Sequence, residues 1–182
     1  QTIDGYSAPS VDFPTSAFKL VPSISSGFHW IKPSPQAITV GVETTYSIYV
    51  KTGDFPYVMI GDARLSSGNN TVQFNIETGE VVYSASAGAG WSISDTGFTE
   101  LGNGYKRFWA VFISGNSQQE PVFALEETIR TGTEYCSTYS WIPTIVGGNN
   151  IFMAQVEESS FATSPTFTDI TLAAEGSTTT RL

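Results

Sequence analysis

The sequence predicts an all-β fold, a two-sheet antiparallel β-sandwich (jelly roll) in a single domain, and three observations predict it. Short stretches with apolar residues at every second position recur along the chain. No stretch sustains a 3.6-residue period. Clusters of Gly, Asn, Asp, Ser and Pro break the pattern roughly every eight to twelve residues, the spacing of sandwiches and jelly rolls. A length of 182 residues suits one such domain, which on general scaling buries roughly two-thirds of its unfolded surface without staples.

The elements follow in order. Residues 1–14, rich in Ser, Pro and Asp, read as a lead-in segment lying against a module that spans residues 1–172. Ala17–Val21 is a first short strand, and Gly27–Lys32 a second, stopped by Pro33 and Pro35, which cannot donate to a central ladder. Ile38–Val40 is expected as another, before a turn at Gly41. In Thr44–Lys51, Tyr46, Ile48 and Val50 alternate with Ser47, Tyr49 and Lys51. Tyr57–Arg64 follows, then a turn over 66–70. Val72, Phe74 and Ile76 alternate with Gln73 and Asn75, and Glu77-Thr78-Gly79 turns the chain into Glu80–Ser84 as a hairpin. Ala85–Gly90 is expected to be loose, and Trp91–Ser94 a short strand. Val122–Leu125 and Ile151–Val156 are core strands separated by a long aromatic loop, and Phe167–Leu172 is the last strand. Residues 173–182 read as a C-terminal linker.

The most informative strand is Gly104–Phe112. Its two-residue period sends Phe108, Ala110 and Phe112 into the core and Arg107, Trp109 and Val111 to the other face. The same parity adds Tyr49, Lys51, Gln155 and Glu157 to that face, and Gln73 and Asn75 as well if their strand belongs to the same sheet. Flat rings beside amides, carboxylates and a guanidinium suit a sugar, since a ring stacks on the C–H face of a pyranose while the polar groups hold hydroxyls in fixed directions. The alternative for Trp109 is cover by a loop or a second chain. Tyr135, Tyr139 and Trp141 form a second aromatic group on the long loop, either a further ligand surface or a loop folded on its own rings.

Composition excludes several classes of function. With 8 Lys+Arg against 17 Asp+Glu the chain carries a formal charge of −9, so counterion release on a polyphosphate offers it nothing, and neither nucleic acid nor an anionic membrane is expected as partner. No apolar run approaches the roughly 18 residues of a membrane span. Cys136, the only cysteine, allows no intramolecular disulfide. His29, the only histidine, rules out clusters of several histidines, and no Gly-x-Ser-x-Gly elbow presents a serine. Glu126-Glu127 and Glu157-Glu158 are adjacent, so on a strand each pair points to opposite faces; Glu157 could still meet Asp62 or Glu80 from another strand. No catalytic residue is therefore assigned. No Asp-x-Asp-x-Asp-Gly loop exists, and a structural calcium held by Asp12, Asp169 and the late acids is the one ion considered; otherwise no cofactor is expected.

Several phrases resemble carbohydrate-binding-module-like jelly rolls of bacteriophage tail fibre and tail spike proteins. Thr45–Gly53 (TYSIYVKTG) is similar to the family phrase TFSVYVKAG, and His29-Trp30-Ile31 to the HYI before it. Phe74–Val81 (FNIETGEV) resembles FDLSTGTV, Leu101–Arg107 (LGNGYKR) resembles LGNGWYR, and Met153–Ser164 (MAQVEESSFATS) is close to GAQLEEGSFATS. Thr179-Thr180-Arg181 looks like the Thr-Arg phrase that ends such modules. The matches keep their order from about residue 28 to the C-terminus. Two positions depart from the pattern: Trp109 stands where the family has a small polar residue, and Lys106 where it has an aromatic one.

The resemblance implies a non-catalytic module of a phage adhesion device or a secreted polysaccharide-degrading enzyme, extracellular or on the virion, recognising a cell-surface or matrix glycan. It supplies no ligand residue, so the site remains the face argued from parity. Two other readings stay open. One is a spacer or trimer-forming unit of a fibre with Trp109 buried between chains. The other is a jelly-roll polysaccharide lyase of the alginate-lyase type, against which Gln36-Ala37-Ile38 lacks the histidine of the Gln-x-His phrase, although Tyr49-Val50-Lys51-Thr52-Gly53 matches Tyr-x-Lys-x-Gly.

Overall fold

A computed structural model describes residues 17–62, 68–132 and 140–162, and the backbone of 2–6 and 172–174. The strands are β1 (Thr2–Tyr6), β2 (Ala17–Leu20), β3 (Trp30–Pro33), β4 (Gln36–Ala37), β5 (Glu43–Lys51), β6 (Tyr57–Asp62), β7 (Asn69–Asn75), β8 (Val81–Ala87), β9 (Ser92–Glu100), β10 (Tyr105–Ile113), β11 (Gln118–Gln119), β12 (Pro121–Glu126), β13 (Asn149–Glu157) and β14 (Leu172–Ala174). Among the described residues the only helical turn is a 3-10 turn at Gly102–Gly104, where Asn103 takes φ 60°, a left-handed value that Asn tolerates.

Two six-stranded antiparallel sheets face each other. The front sheet runs β1-β2-β13-β5-β10-β9 and the back sheet β14-β3-β12-β6-β7-β8, with β4 and β11 forming a small ribbon. The inner orders β2-β13-β5-β10 and β3-β12-β6-β7 are those of two interlocked Greek keys, so the sandwich is a jelly roll. Strands β8 and β9 widen both sheets on one side, and β1 and β14 on the other.

Alternation decides which side chains enter the core. Tyr46, Ile48 and Val50 of β5 and Phe108, Ala110 and Phe112 of β10 pack against Val58 and Ile60 of β6, Val72 and Phe74 of β7, and Phe123 and Leu125 of β12. The rings of Phe74 and Phe108, with centroids 5.3 Å apart, join the two sheets. Each such fully buried Val, Leu, Ile or Phe side chain contributes about 1.5–3 kcal/mol of transfer free energy.

A bulge keeps β13 in phase. Phe152 pairs with Tyr49 and Ala154 with Ile48, which leaves Met153 unpaired at φ 32°. Without that extra residue, a two-residue period counted from Ile151 would turn Gln155 and Glu157 inward. With it, Ile151, Ala154 and Val156 face the core, and Phe152, Gln155 and Glu157 face out.

Some boundaries differ from the sequence expectation. Ile38–Val40 is not a strand: the pairing residues are Gln36 and Ala37, and Thr39–Val42 closes a turn in which the Val42 N–H donates to the Thr39 carbonyl. Strand β8 continues through Ala87, and β9 runs on to Glu100, because pairing with β7 and β10 overrides the weak strand propensity of their Ser, Gly and Asp residues. Leu172–Ala174 pairs with β3, so Ala173 and Ala174 belong to the back sheet rather than to a linker. Most of the lead-in segment, residues 163–171 and residues 175–182 lie outside the described residues.

Candidate functional site on the front sheet

The outward side of the front sheet is built in rows across the strands. Tyr49 and Arg107 pair directly, with Phe152 and Thr99 on their flanks. In the next row Ser47 and Trp109 lie between Gln155 and Gly97, and in the next Thr45 and Val111 lie between Glu157 and Asp95. The structure thus brings Tyr49, Arg107, Trp109, Gln155 and Glu157 together on one face, with Lys51 at its end, where its Nζ stands 5.8 Å from the Tyr105 ring centre.

Trp109 does not stand up from the sheet. A Cβ placed on Gly97 would lie 2.5 Å from its Cζ2, 2.9 Å from its Cε2 and 3.1 Å from its Cη2, so the six-membered ring occupies the space that a side chain on Gly97 would fill. The ring is half-buried. Gly97 was not singled out in the sequence, although a glycine inside a strand marks a close approach and could have been read as such.

The polar residues beside the ring form its support. Arg107 is 7% exposed; its Nε and Nη2 donate to Ser47 Oγ at 3.3 and 2.9 Å, and Nη2 donates to Gln155 Oε1 at 3.4 Å. Glu157 Oε1 lies 3.9 Å from the same Nη2, and the guanidinium carbon sits 5.3 Å from the Tyr49 ring centre. Tyr49 is 2% exposed and joins Ala17, Tyr105 and Phe152 in a small apolar cluster on this outward side, with Leu101 and Met153 packed against it. Burial pushes the Tyr49 hydroxyl up from its usual range, against the pull of Arg107, with Glu157 adding to the rise; burial alone raises Tyr105. Tyr49 and Arg107 are therefore covered, and the accessible part of the face narrows to Trp109, Glu157, Lys51 at its end and the outward side of β9.

Two expected members belong elsewhere. Gln73 and Asn75 lie in the back sheet, because β7 pairs with β6 and β8. Gln73 is fully buried: its Nε2 donates to Glu126 Oε2 at 2.7 Å and to the Thr128 carbonyl at 2.8 Å, and its Oε1 accepts from the Arg130 N–H at 3.1 Å. Arg130 closes this cluster on Glu126 through Nε, at 3.1 and 3.0 Å from the two carboxylate oxygens, and through Nη2. Asn75 Oδ1 accepts from the N–H groups of Glu77 and Thr78 and shapes the hairpin turn.

Trp141 is part of the packing. Its backbone N–H and carbonyl pair with Gly27, and its ring sits edge-on to His29 at 5.3 Å and to Phe55 at 6.2 Å. Tyr139, Tyr135, Cys136, Asp12 and Asp169 lie outside the described residues.

His29 Nε2 contacts the Trp141 carbonyl at 3.1 Å. Asp62 is fully buried on the back sheet while Glu157 faces outward from the front sheet, so these two carboxylates do not meet. Glu126 is held by Arg130, and Glu127 accepts from Thr144 and Ile145. Among the described residues no group of three or more His, Cys, Asp or Glu could hold a metal ion, and no helix is long and apolar enough to cross a membrane. No protein-family model matches the chain, and no curated protein does.

Proposed function

We propose that the chain is a non-catalytic carbohydrate-binding module that recognises a cell-surface or matrix polysaccharide at Trp109, from an extracellular protein or a virion fibre or spike. The observation that carries this reading is the Trp109 ring laid on Gly97. A ring lying along a sheet with one side on a glycine offers its other side to the C–H face of a sugar. Beside it Glu157 can accept from sugar hydroxyls, and the buried Arg107–Ser47–Gln155 group holds that carboxylate side of the site in place. No cofactor is required for such binding. The alternative is a fibre spacer or trimerising unit in which Trp109 meets another chain, and a polysaccharide lyase is a more distant one.

A glycan array with the purified domain tests the reading. The expected outcome is retention on a defined polysaccharide class, lost on Trp109→Ala while the far-UV spectrum and melting temperature hold. Retention that survives Trp109→Ala would remove the site, and an array without any hit would favour the spacer. Unsaturated sugar products released from a polysaccharide panel would instead establish a lyase.

A further inference from the structure

We infer that Asp95 sets the class of glycan this module takes, namely sugar units without carboxylate, sulfate or phosphate groups. This rests on the reading of Trp109 as a sugar platform and adds the residue that selects. Gly97, on which the indole lies, has Asp95 two residues before it and Thr99 two residues after it on β9. Gly97 pairs with Trp109, Asp95 with Val111 and Thr99 with Arg107, so all three face outward. Asp95 and Thr99 are exposed.

Diagonal neighbours across an antiparallel pair stand about 7–8 Å apart, within reach of a sugar seated on the Trp109 ring. Asp95 Oδ1 accepts from the Thr96 N–H at 2.8 Å, which holds the carboxylate in place. Its second oxygen can then accept from a sugar hydroxyl or a sugar ammonium, as a charge-assisted bond. Thr99 offers a hydroxyl on the other side of Gly97.

The charges around the ring favour one sign of ligand. Glu157 and Asp95 close the two ends of the Thr45–Val111 row, and Glu43 lies in the row of Ile113 beyond it. Arg107 is the described cation next to the ring, but it is 7% exposed and already engaged with Ser47, Gln155 and Glu157. Lys106 pairs with Glu100 at 3.2 Å and Lys19 with Asp54 at 3.8 Å, while Lys32 and Arg130 pair with Glu120 and Glu126 on the back-sheet side. Lys51 stands in the row of Tyr105, four residues along β5 from the Ser47 that pairs with Trp109. That is roughly 13 Å along the strand, beyond the screening length of about 8 Å at 0.15 M salt. An acidic sugar on the indole would thus meet carboxylates without an accessible counter-charge, and a like charge set against the wrong ligand is itself a source of specificity. The formal charge of −9 acts in the same direction at longer range.

A glycan array carrying chitosan, neutral glucans and mannans, alginate and sulfated glycans tests this with the unmodified protein, Asp95→Asn, Asp95→Lys and Glu100→Gln. The unmodified protein should be retained on neutral or amino-sugar polymers and not on acidic ones. Asp95→Asn keeps an acceptor for the Thr96 N–H and should weaken that retention about tenfold, the difference between a charged and a neutral hydrogen bond. Asp95→Lys should narrow the gap between acidic and neutral glycans, and about 1 M salt should remove that gain. Glu100→Gln deletes the same charge elsewhere on β9 and should change nothing. All three variants should keep the far-UV spectrum and melting temperature. Hits confined to acidic glycans, retention that both Asp95 variants leave intact, or an equal effect of Glu100→Gln would overturn the inference and leave Trp109 as the platform. Retention that survives Trp109→Ala, or an array without hits, would remove the underlying reading and this one with it.

Discussion

At the scale of single residues the outward face of β10 turns on one pair, Trp109 and Gly97. A methyl group on Gly97 would stand 2.5 Å from Cζ2, well inside contact distance, so Gly97→Ala must lift the ring from the sheet. An indole on a single side chain can swing away without moving backbone, and the strand itself gains rather than loses from alanine. Gly97→Ala is thus expected to weaken glycan retention by at least about thirtyfold, the loss of one anchoring contact, while the unfolding midpoint moves little. Retention on the array together with a urea melt checks both halves. Much of this neighbourhood was legible in the sequence: the period of Gly104–Phe112 put Arg107 and Trp109 on one face, and that of Thr44–Lys51 added Tyr49. What parity could not give was exposure. Tyr49 is covered because Ala17 and Phe152, from strands remote in sequence, converge on the same patch, and Arg107 lies among Tyr49, Ser47, Gln155 and Glu157.

At the scale of elements, the segment after β12 shows how a strand and a loop are fastened. Gln73 offers its amide to the loop as a strand would offer a peptide, accepting from the Arg130 N–H and donating to the Thr128 carbonyl. Arg130 then returns to Glu126, with both side chains almost wholly buried. Such a pair contributes little net stability over an apolar replacement, yet removing one partner leaves a buried charge without its counterion. Arg130→Ala should cost about 3–5 kcal/mol in a denaturant melt, and replacing Glu126 and Arg130 together by methionine should recover most of that loss. Equal losses in the single and double variants would contradict the argument. In the sequence Gln73 looked like one of an alternating set of outward polar residues, which it is. That its strand belongs to the back sheet depends on a jelly-roll crossover, and no local pattern in the hairpin records it. The extension of β9 through Glu100 was hidden for a related reason, since Ser, Asp, Thr and Gly become strand here only by pairing with β10.

At the scale of the whole molecule, the sandwich has an apolar cluster outside its main core as well as between its sheets, and that gives its stability a defined alkaline limit. Tyr49 and Tyr105 are 2% and 1% exposed in the cluster on the outward side of the front sheet. Burial raises both hydroxyls above the unfolded value of 10.0; at Tyr49 Arg107 opposes the rise and Glu157 adds to it. Well below pH 10.0 both side chains are protonated whether the chain is folded or not, so their burial is fully retained. Above it the unfolded chain releases protons that the folded chain still holds, and the folded state loses free energy as pH rises toward the raised folded values. Stability should therefore be insensitive to these two tyrosines through neutral pH and fall on the alkaline side. Tyrosinate absorbance from the pair should appear together with the loss of tertiary signal rather than before it. Tyr49→Phe with Tyr105→Phe should move the alkaline transition to higher pH and leave the neutral fold intact. Ionisation of these two tyrosines ahead of unfolding, or a double variant with the same alkaline midpoint, would show that the outward cluster is open to solvent.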